Sequence, residues 1–166
     1  MATPFHFALL FAAASLMAAA GGAAAPGDRR TVDTVRAGDG DSEFRHGYSG
    51  SDSISGRALG MSYRETDGVM LYTLSAYFDS EVTVAVTALR LPGVERSFSL
   101  VVEDSVIAPR VVVRAAESDS LPTLIETLVP HLLTEGKSEI TIQLRAVDGR
   151  SPAINLVQVI QDHFQP

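Results

Sequence analysis

The sequence predicts an all-β fold, two antiparallel sheets packed face to face as a jelly-roll β-sandwich, and three observations carry that prediction. Apolar residues recur at every second position through most of the second half of the chain. Gly and Pro punctuate these runs at short intervals, as turns between strands require. Almost no segment carries an amphipathic helical stripe, so the apolar faces of the strands have only one another to pack against.

The elements follow in chain order. The first 25 residues contain no Asp, Glu, Lys or Arg and run through Leu9-Leu10-Phe11 into a long alanine tract. Residues 1–25 therefore read as a signal peptide, with Ala23-Ala24-Ala25 before Pro26 as small residues for a peptidase, and with cuts after Ala20 or Ala23 as alternatives. A retained membrane anchor is the competing reading, although the apolar run is short for a bilayer and no later segment is long enough to span one. Thr31-Val32-Asp33-Thr34-Val35 alternates as a strand and opens the domain, which is expected over residues 31–164. Ala37 to Gly56 holds five glycines with Asp39, Asp41 and Asp52, and reads as a long turn-rich region.

From Glu81 the period of two is plain, with Val82, Val84, Val86 and Ala88 on one face and Thr83, Ala85, Thr87 and Leu89 on the other. Leu91-Pro92-Gly93 interrupts it, and Phe98, Leu100 and Val102 resume it, so a hairpin is expected between the two runs. Val111, Val113 and Ala115 continue the pattern, as do Ile140, Ile142, Leu144 and Ala146, and a last strand is expected from Ile154 to about Ile160. Leu124, Leu128 and Leu132 with Ile125 and Val129 fit a helix as well as a strand. Pro130 decides for a strand to Val129 and one helical turn after it, because proline in a helix interior removes a hydrogen bond and clashes with the preceding turn.

Composition narrows the function. A chain of 166 residues with a formal charge of −7 suits one domain, and without clustered Lys and Arg it is not expected to bind nucleic acid. Cysteine is absent, so neither a disulfide nor a lipid-modified cysteine acts after export, and the core alone must hold the fold. The Ala, Gly, Val and Arg bias points to a bacterial secreted or periplasmic protein with no membrane attachment once the signal is removed.

The richest polar cluster is Asp39-Gly40-Asp41-Ser42-Glu43, followed by Arg45, His46 and Tyr48. Asp39 and Asp41 offer oxygen ligands for a structural calcium, the sole cofactor in view, although the spacing is not that of an EF-hand and a solvated acidic turn explains the residues as well. Glu43 and His46 stand three residues apart, close enough to face one ligand or one another. A carboxylate partner that orients the His46 ring is the structural alternative to a ligand contact. Tyr48, Tyr63, Arg64, Tyr72 and Tyr77 can furnish a binding face, since tyrosine joins a stacking plane to a hydroxyl. Tyr72 and Tyr77 lie on apolar stretches and are expected to be buried, whereas Tyr48 is expected to be exposed. Arg57, Arg64, Arg90 and Arg96 are expected in ion pairs across the sheets. For catalysis, Glu103 and Asp104 are neighbours in an expected strand, where their side chains would point to opposite faces and could not act as a pair. No nucleophile elbow or phosphate loop is present.

One resemblance adds to this reading. Asp33, Val35, Gly38-Asp39, Ser42-Glu43 and His46 follow the pattern Asp-x-Val-x-x-Gly-Asp-x-x-Ser-Glu-x-x-His. With Tyr63-Arg64, Gly68 to Leu74, Phe98 to Ala108 and Ile140 to Gly149, the chain resembles the β-sandwich substrate-binding domain of bacterial β-L-arabinofuranosidases of glycoside hydrolase families 127 and 146. The resemblance implies a galactose-binding-like jelly roll that accompanies a helical-barrel catalytic domain, whose zinc-bound cysteine nucleophile has no counterpart here. It further implies a non-catalytic carbohydrate-binding module. The expected ligand is a glycan such as an arabinose-containing oligosaccharide, with a glycoside hydrolase catalytic subunit as a protein partner. Glu43, His46, Tyr48, Tyr63 and Arg64 are the expected contacts. Where the family has an aromatic pair, this chain reads Gly68-Val69-Met70-Leu71-Tyr72, and it has no tryptophan, so any stacking falls to tyrosine and phenylalanine. The alternatives are a structural or adaptor sandwich that binds another envelope protein, and a subunit or remnant of a split hydrolase.

Overall fold

The computed structural model describes residues 28–77 and 80–163. The expected signal peptide, residues 1–25, lies outside them. The described chain runs β1 (Asp28–Arg36), α1 (Gly40–Arg45), β2 (Ser49–Gly50), β3 (Ser53–Ala58), β4 (Met61–Thr66), β5 (Val69–Ser75), β6 (Val82–Arg90), β7 (Arg96–Val102), β8 (Ser105–Val113), β9 (Leu121–Val129), a 3₁₀ turn at His131–Leu133, β10 (Glu139–Val147) and β11 (Ala153–His163). One sheet has six strands in the order β3-β4-β11-β6-β9, with β1 also on β11, and the other has five in the order β2-β5-β10-β7-β8. The ladders are antiparallel, and the whole is the jelly-roll sandwich that the alternation predicts.

The core lies between the sheets. Val35, Val84, Val86, Ala88, Val157 and Val159 face Met70, Tyr72, Leu74, Phe98, Leu100, Ile140, Ile142 and Leu144, all of them buried. β6 and β11 sit mid-sheet and bury part of their outer faces too, as Ala85 and Leu89 show. Arg29 of β1 reaches Glu126 of β9 at 3.3 Å, so this pair passes over the two strands between them, β11 and β6. Both side chains are well exposed, and such a pair contributes little stability.

Three expectations change. β6 and β7 do not form a hairpin, since β6 pairs with β11 and β9 while β7 pairs with β10 and β8. The Leu91-Pro92-Gly93 segment carries the chain from one sheet to the other, pinned by the bridges Leu91–Val94 and Pro92–Ala116. The region 37–56 is not simply loop, because it contains α1, β2 and most of β3. Glu103 and Asp104 are not in a strand. They form the two-residue turn between β7 and β8 with φ of 50° and 62°, the left-handed pair that a tight hairpin demands. Both side chains then turn to β10: Glu103 accepts from Lys137 and from the Thr141 N–H, and Asp104 accepts from Gln143. These donors outweigh the effect of burial and hold the Glu103 carboxyl below its ordinary range.

β9 ends at Val129 and Pro130 leads into the single helical turn, as the sequence predicts. Ile125 and Val129 face inward, while Leu124 and Leu128 are 58% and 60% exposed. Among the described residues, no helix is long and apolar enough to cross a membrane.

Candidate functional site

Local sequence builds the platform first. Asp39 is the N-cap of α1, its carboxylate accepting from the Ser42 N–H at 3.1 Å, and Ser42 Oγ in turn accepts from the Arg36 N–H at 2.8 Å. Gly38 has φ of +78°, and a Cβ there would stand 2.2 Å from the Tyr63 carbonyl oxygen, so only glycine lets the chain turn from β1 into α1 against β4. That turn aims Glu43 into the sandwich.

Glu43 is 3% exposed and meets Arg64 of β4 in a two-pronged pair, Nε to Oε1 and Nη2 to Oε2, both at 2.6 Å. The Gly38 N–H donates to Oε1 at 2.9 Å and the Tyr72 hydroxyl at 3.3 Å. The Arg64 guanidinium carbon lies 4.5 Å from the centre of the Tyr48 ring, and Tyr48 packs on Tyr72 with centroids 5.3 Å apart. Ser53 Oγ joins the Tyr48 hydroxyl at 2.8 Å and Arg64 Nη1 at 3.2 Å. The Glu43 carboxylate holds the Arg64 guanidinium above even its usual high range. Burial first, then the Glu43 charge, pushes the Tyr72 hydroxyl up, so it stays a neutral donor. A charge this deeply buried stands only because it is paired and fully hydrogen-bonded.

His46 belongs to a second knot. Its Nε2 lies 3.0 Å from Asp33 Oδ1 and its Nδ1 2.6 Å from the Ser42 carbonyl, the structural arrangement with a nearby carboxylate that the sequence allows. Asp33 also accepts from the backbone N–H groups of Thr34 at 2.7 Å and Ser75 at 2.8 Å. Burial raises the Asp33 pKa, but the Ser75, His46 and Thr34 donors outweigh it and the net shift is downward.

The structure thus gathers Glu43, Tyr48 and Arg64 and sets His46 nearby on the same helix end. Tyr63 goes elsewhere. It precedes Arg64 in β4, so the pleat turns it to the opposite face, where its ring lies against Gly56; a Cβ on Gly56 would meet that ring at 2.4 Å. Tyr48 is half-buried rather than exposed because Arg64 and Tyr72 clasp it. Asp41 is exposed in the first turn of α1, and Asp39 is committed to its cap. Among the described residues, no three His, Cys, Asp or Glu side chains gather to hold a metal ion, so Asp39 and Asp41 are not joined by a third such side chain of the kind a calcium site draws on.

Arg96 makes the expected ion pair across the sheets, to Glu65 at 3.3 Å, while Arg90 turns instead to the carbonyls of Arg114 and Ala115. Tyr72 is buried as its alternation predicts, but Tyr77 is 64% exposed, because β5 ends at Ser75 and Tyr77 falls on the connection beyond it. Asp33, Ser53 and Tyr72 complete the two knots, and sequence reasoning did not tie them to Glu43 or His46.

A family model matches residues 28–160. The chain belongs to DUF6805, a family of unknown function. No curated protein matches this DUF6805 chain. Among solved structures, it is similar to a family 35 carbohydrate binding module from an environmental isolate, with TM-score 0.58 and 15% identity over 81% of this chain and 99% of that one. It is similar to the family 35 module from Cellvibrio japonicus Abf62, with TM-score 0.57 and 13% identity over 81% and 99% of the two chains. A third is Xyl-CBM35 in complex with a glucuronic acid containing disaccharide, with TM-score 0.55 and 13% identity over 80% and 99%. At such identities the likeness shows that DUF6805 shares the sandwich fold of these modules.

Proposed function

We propose that this DUF6805 chain is an exported, non-catalytic carbohydrate-binding module. The observation that supports the reading is coextension: the likeness takes in 99% of two solved chains that are named as carbohydrate binding modules, so the matching unit has the extent of such a module. Of the candidate residues, Tyr48 and Arg64 make the contact, with Glu43 and His46 holding them in place, while Tyr63, on the opposite face of β4, takes no part in it. The resemblance to the accessory domain of families 127 and 146 favours arabinose-containing glycans, and the first 25 residues, free of Asp, Glu, Lys and Arg, favour a secreted or periplasmic location; a separate subunit or remnant of a split glycoside hydrolase is the alternative. The name of one neighbour adds glucuronic acid containing disaccharides as a second ligand class to try. Calorimetric titration of the full chain with both classes is the test. Binding with Kd at or below about 1 mM is expected, and no heat from either class at that concentration sinks the reading.

A specific observation favours an adaptor role as the second reading. Leu121, Leu124 and Leu128 are exposed on the edge strand β9, and Leu132 (82% exposed) and Val106 stand close by. Exposed apolar rows on sheet edges invite protein partners. Pull-down of an envelope protein that Leu128→Lys abolishes, and that sugars do not compete away, would favour this reading over the first.

A further inference from the structure

The most exposed tyrosine has the most carefully held backbone. The Ala76 N–H donates to the Ser138 carbonyl at 2.8 Å. One residue on, the Tyr77 N–H donates to Gln161 Oε1 at 2.6 Å, and Gln161 Nε2 donates back to the Tyr77 carbonyl at 3.1 Å. Gln161 is 3% exposed, so a buried amide is committed to the main chain of a residue that is itself 64% exposed. Core packing does not explain that arrangement, because the ring it positions contributes little burial. Fixing an aromatic plane at the surface is what the arrangement achieves.

The plane borders a groove of about 320 Å³ lined by Arg30, Thr31, Val32, Tyr77, Ser80, Gln161 and Asp162. That volume is at the lower end of small-ligand clefts. The chemistry is mixed in a particular way: an aromatic face and an apolar valine, two hydroxyls and an amide, and one guanidinium beside one carboxylate. Asp162 is 38% exposed on its side chain, and its recorded contact with Arg29 Nε is long at 4.0 Å. A pyranose or furanose ring matches such a wall, since its C–H face packs on an aromatic plane while neighbouring hydroxyls donate to a carboxylate.

We propose that this groove, at the opposite end of the β1–β11 ladder from Arg64, is a second binding site that takes one unit of a neutral glycan, with Tyr77 as stacking platform and Asp162 as hydroxyl acceptor. Arg30 and Asp162 together leave the lining without net charge, which suits a neutral sugar over a uronate at this site. The inference rests on the carbohydrate reading above and adds a place and a ligand class to it.

The test titrates the full chain with neutral arabino-, xylo-, manno- and galacto-oligosaccharides and with a glucuronic acid containing disaccharide. Wild type is expected to bind at least one neutral series. Tyr77→Ala is expected to weaken that binding at least tenfold with an unchanged melting temperature, and Tyr77→Phe to keep most of it. Asp162→Asn, whose side chain lies outside the Gln161 clamp, is expected to weaken it several-fold and keeps the test open should Tyr77→Ala fail to fold. Neutral-sugar binding that survives both Tyr77→Ala and Asp162→Asn overturns the groove and leaves the module reading standing. Binding of the acidic disaccharide alone overturns the neutral class. Silence with every sugar overturns both proposals.

Discussion

Arg64 shows how much one side chain can be asked to hold. It neutralises a carboxylate that is 3% exposed, covers a tyrosine ring and reaches a serine hydroxyl, all from the inward face of β4. Removing it leaves Glu43 buried and short of two donors. Arg64→Ala is therefore expected to cost about 3–5 kcal/mol, read as a lower urea midpoint with an unchanged slope. Arg64→Lys should recover only part, because an ammonium cannot present the fork. Glu43 and Arg64 were each legible in the sequence as candidates, but their pairing was not. They lie 21 residues apart on a helix and a strand, and no local pattern encodes that approach. Tyr63 was misplaced for a simpler reason: reading it with Arg64 as one site ignored the pleat, which separates neighbours in a strand by a full sheet thickness.

At the scale of elements, Asp33 is the joint where β1, α1 and β5 meet, through its own strand, His46 and the Ser75 N–H. Its pKa is lowered from 3.8, so the folded protein binds that proton less readily than the unfolded chain. The stability this joint contributes is present above about pH 4 and is lost as pH falls through the lower folded value. Thermal melts between about pH 2 and pH 6 should fall more steeply toward acid for wild type than for Asp33→Asn, whose side chain cannot take up the proton. Equal slopes would remove Asp33 from the account. Strand identity at this scale was readable because burial imposes a period of two, and Val82 to Ala88 shows it cleanly. Strand partnership was not, as β6 and β7 demonstrate. A Pro-Gly break between two alternating runs looks the same whether the chain folds back in one sheet or crosses to the other.

For the molecule as a whole, the sheets share a single core and should melt as one unit. Val84 sits at its centre with no exposure, between strands β9 and β11 and facing the second sheet. A charge there has no partner, so Val84→Asp is expected to cost on the order of 3 kcal/mol or more. Circular dichroism should show one transition at a lower temperature, and an unchanged melt would contradict the layered core. The architecture was legible from alternation and turn spacing, since two apolar faces can satisfy each other in few ways. The exposed surface was less so, because a ring such as Tyr77 reads as core until the end of its strand is known.

The first and last strands run side by side in opposite directions, with Asp28 opposite His163. The described chain therefore starts and ends at one corner of the sandwich, next to the groove at Tyr77. A ligand held in that groove would touch the first and the last strand at once, so its binding should brace the two ends of the fold against fraying together.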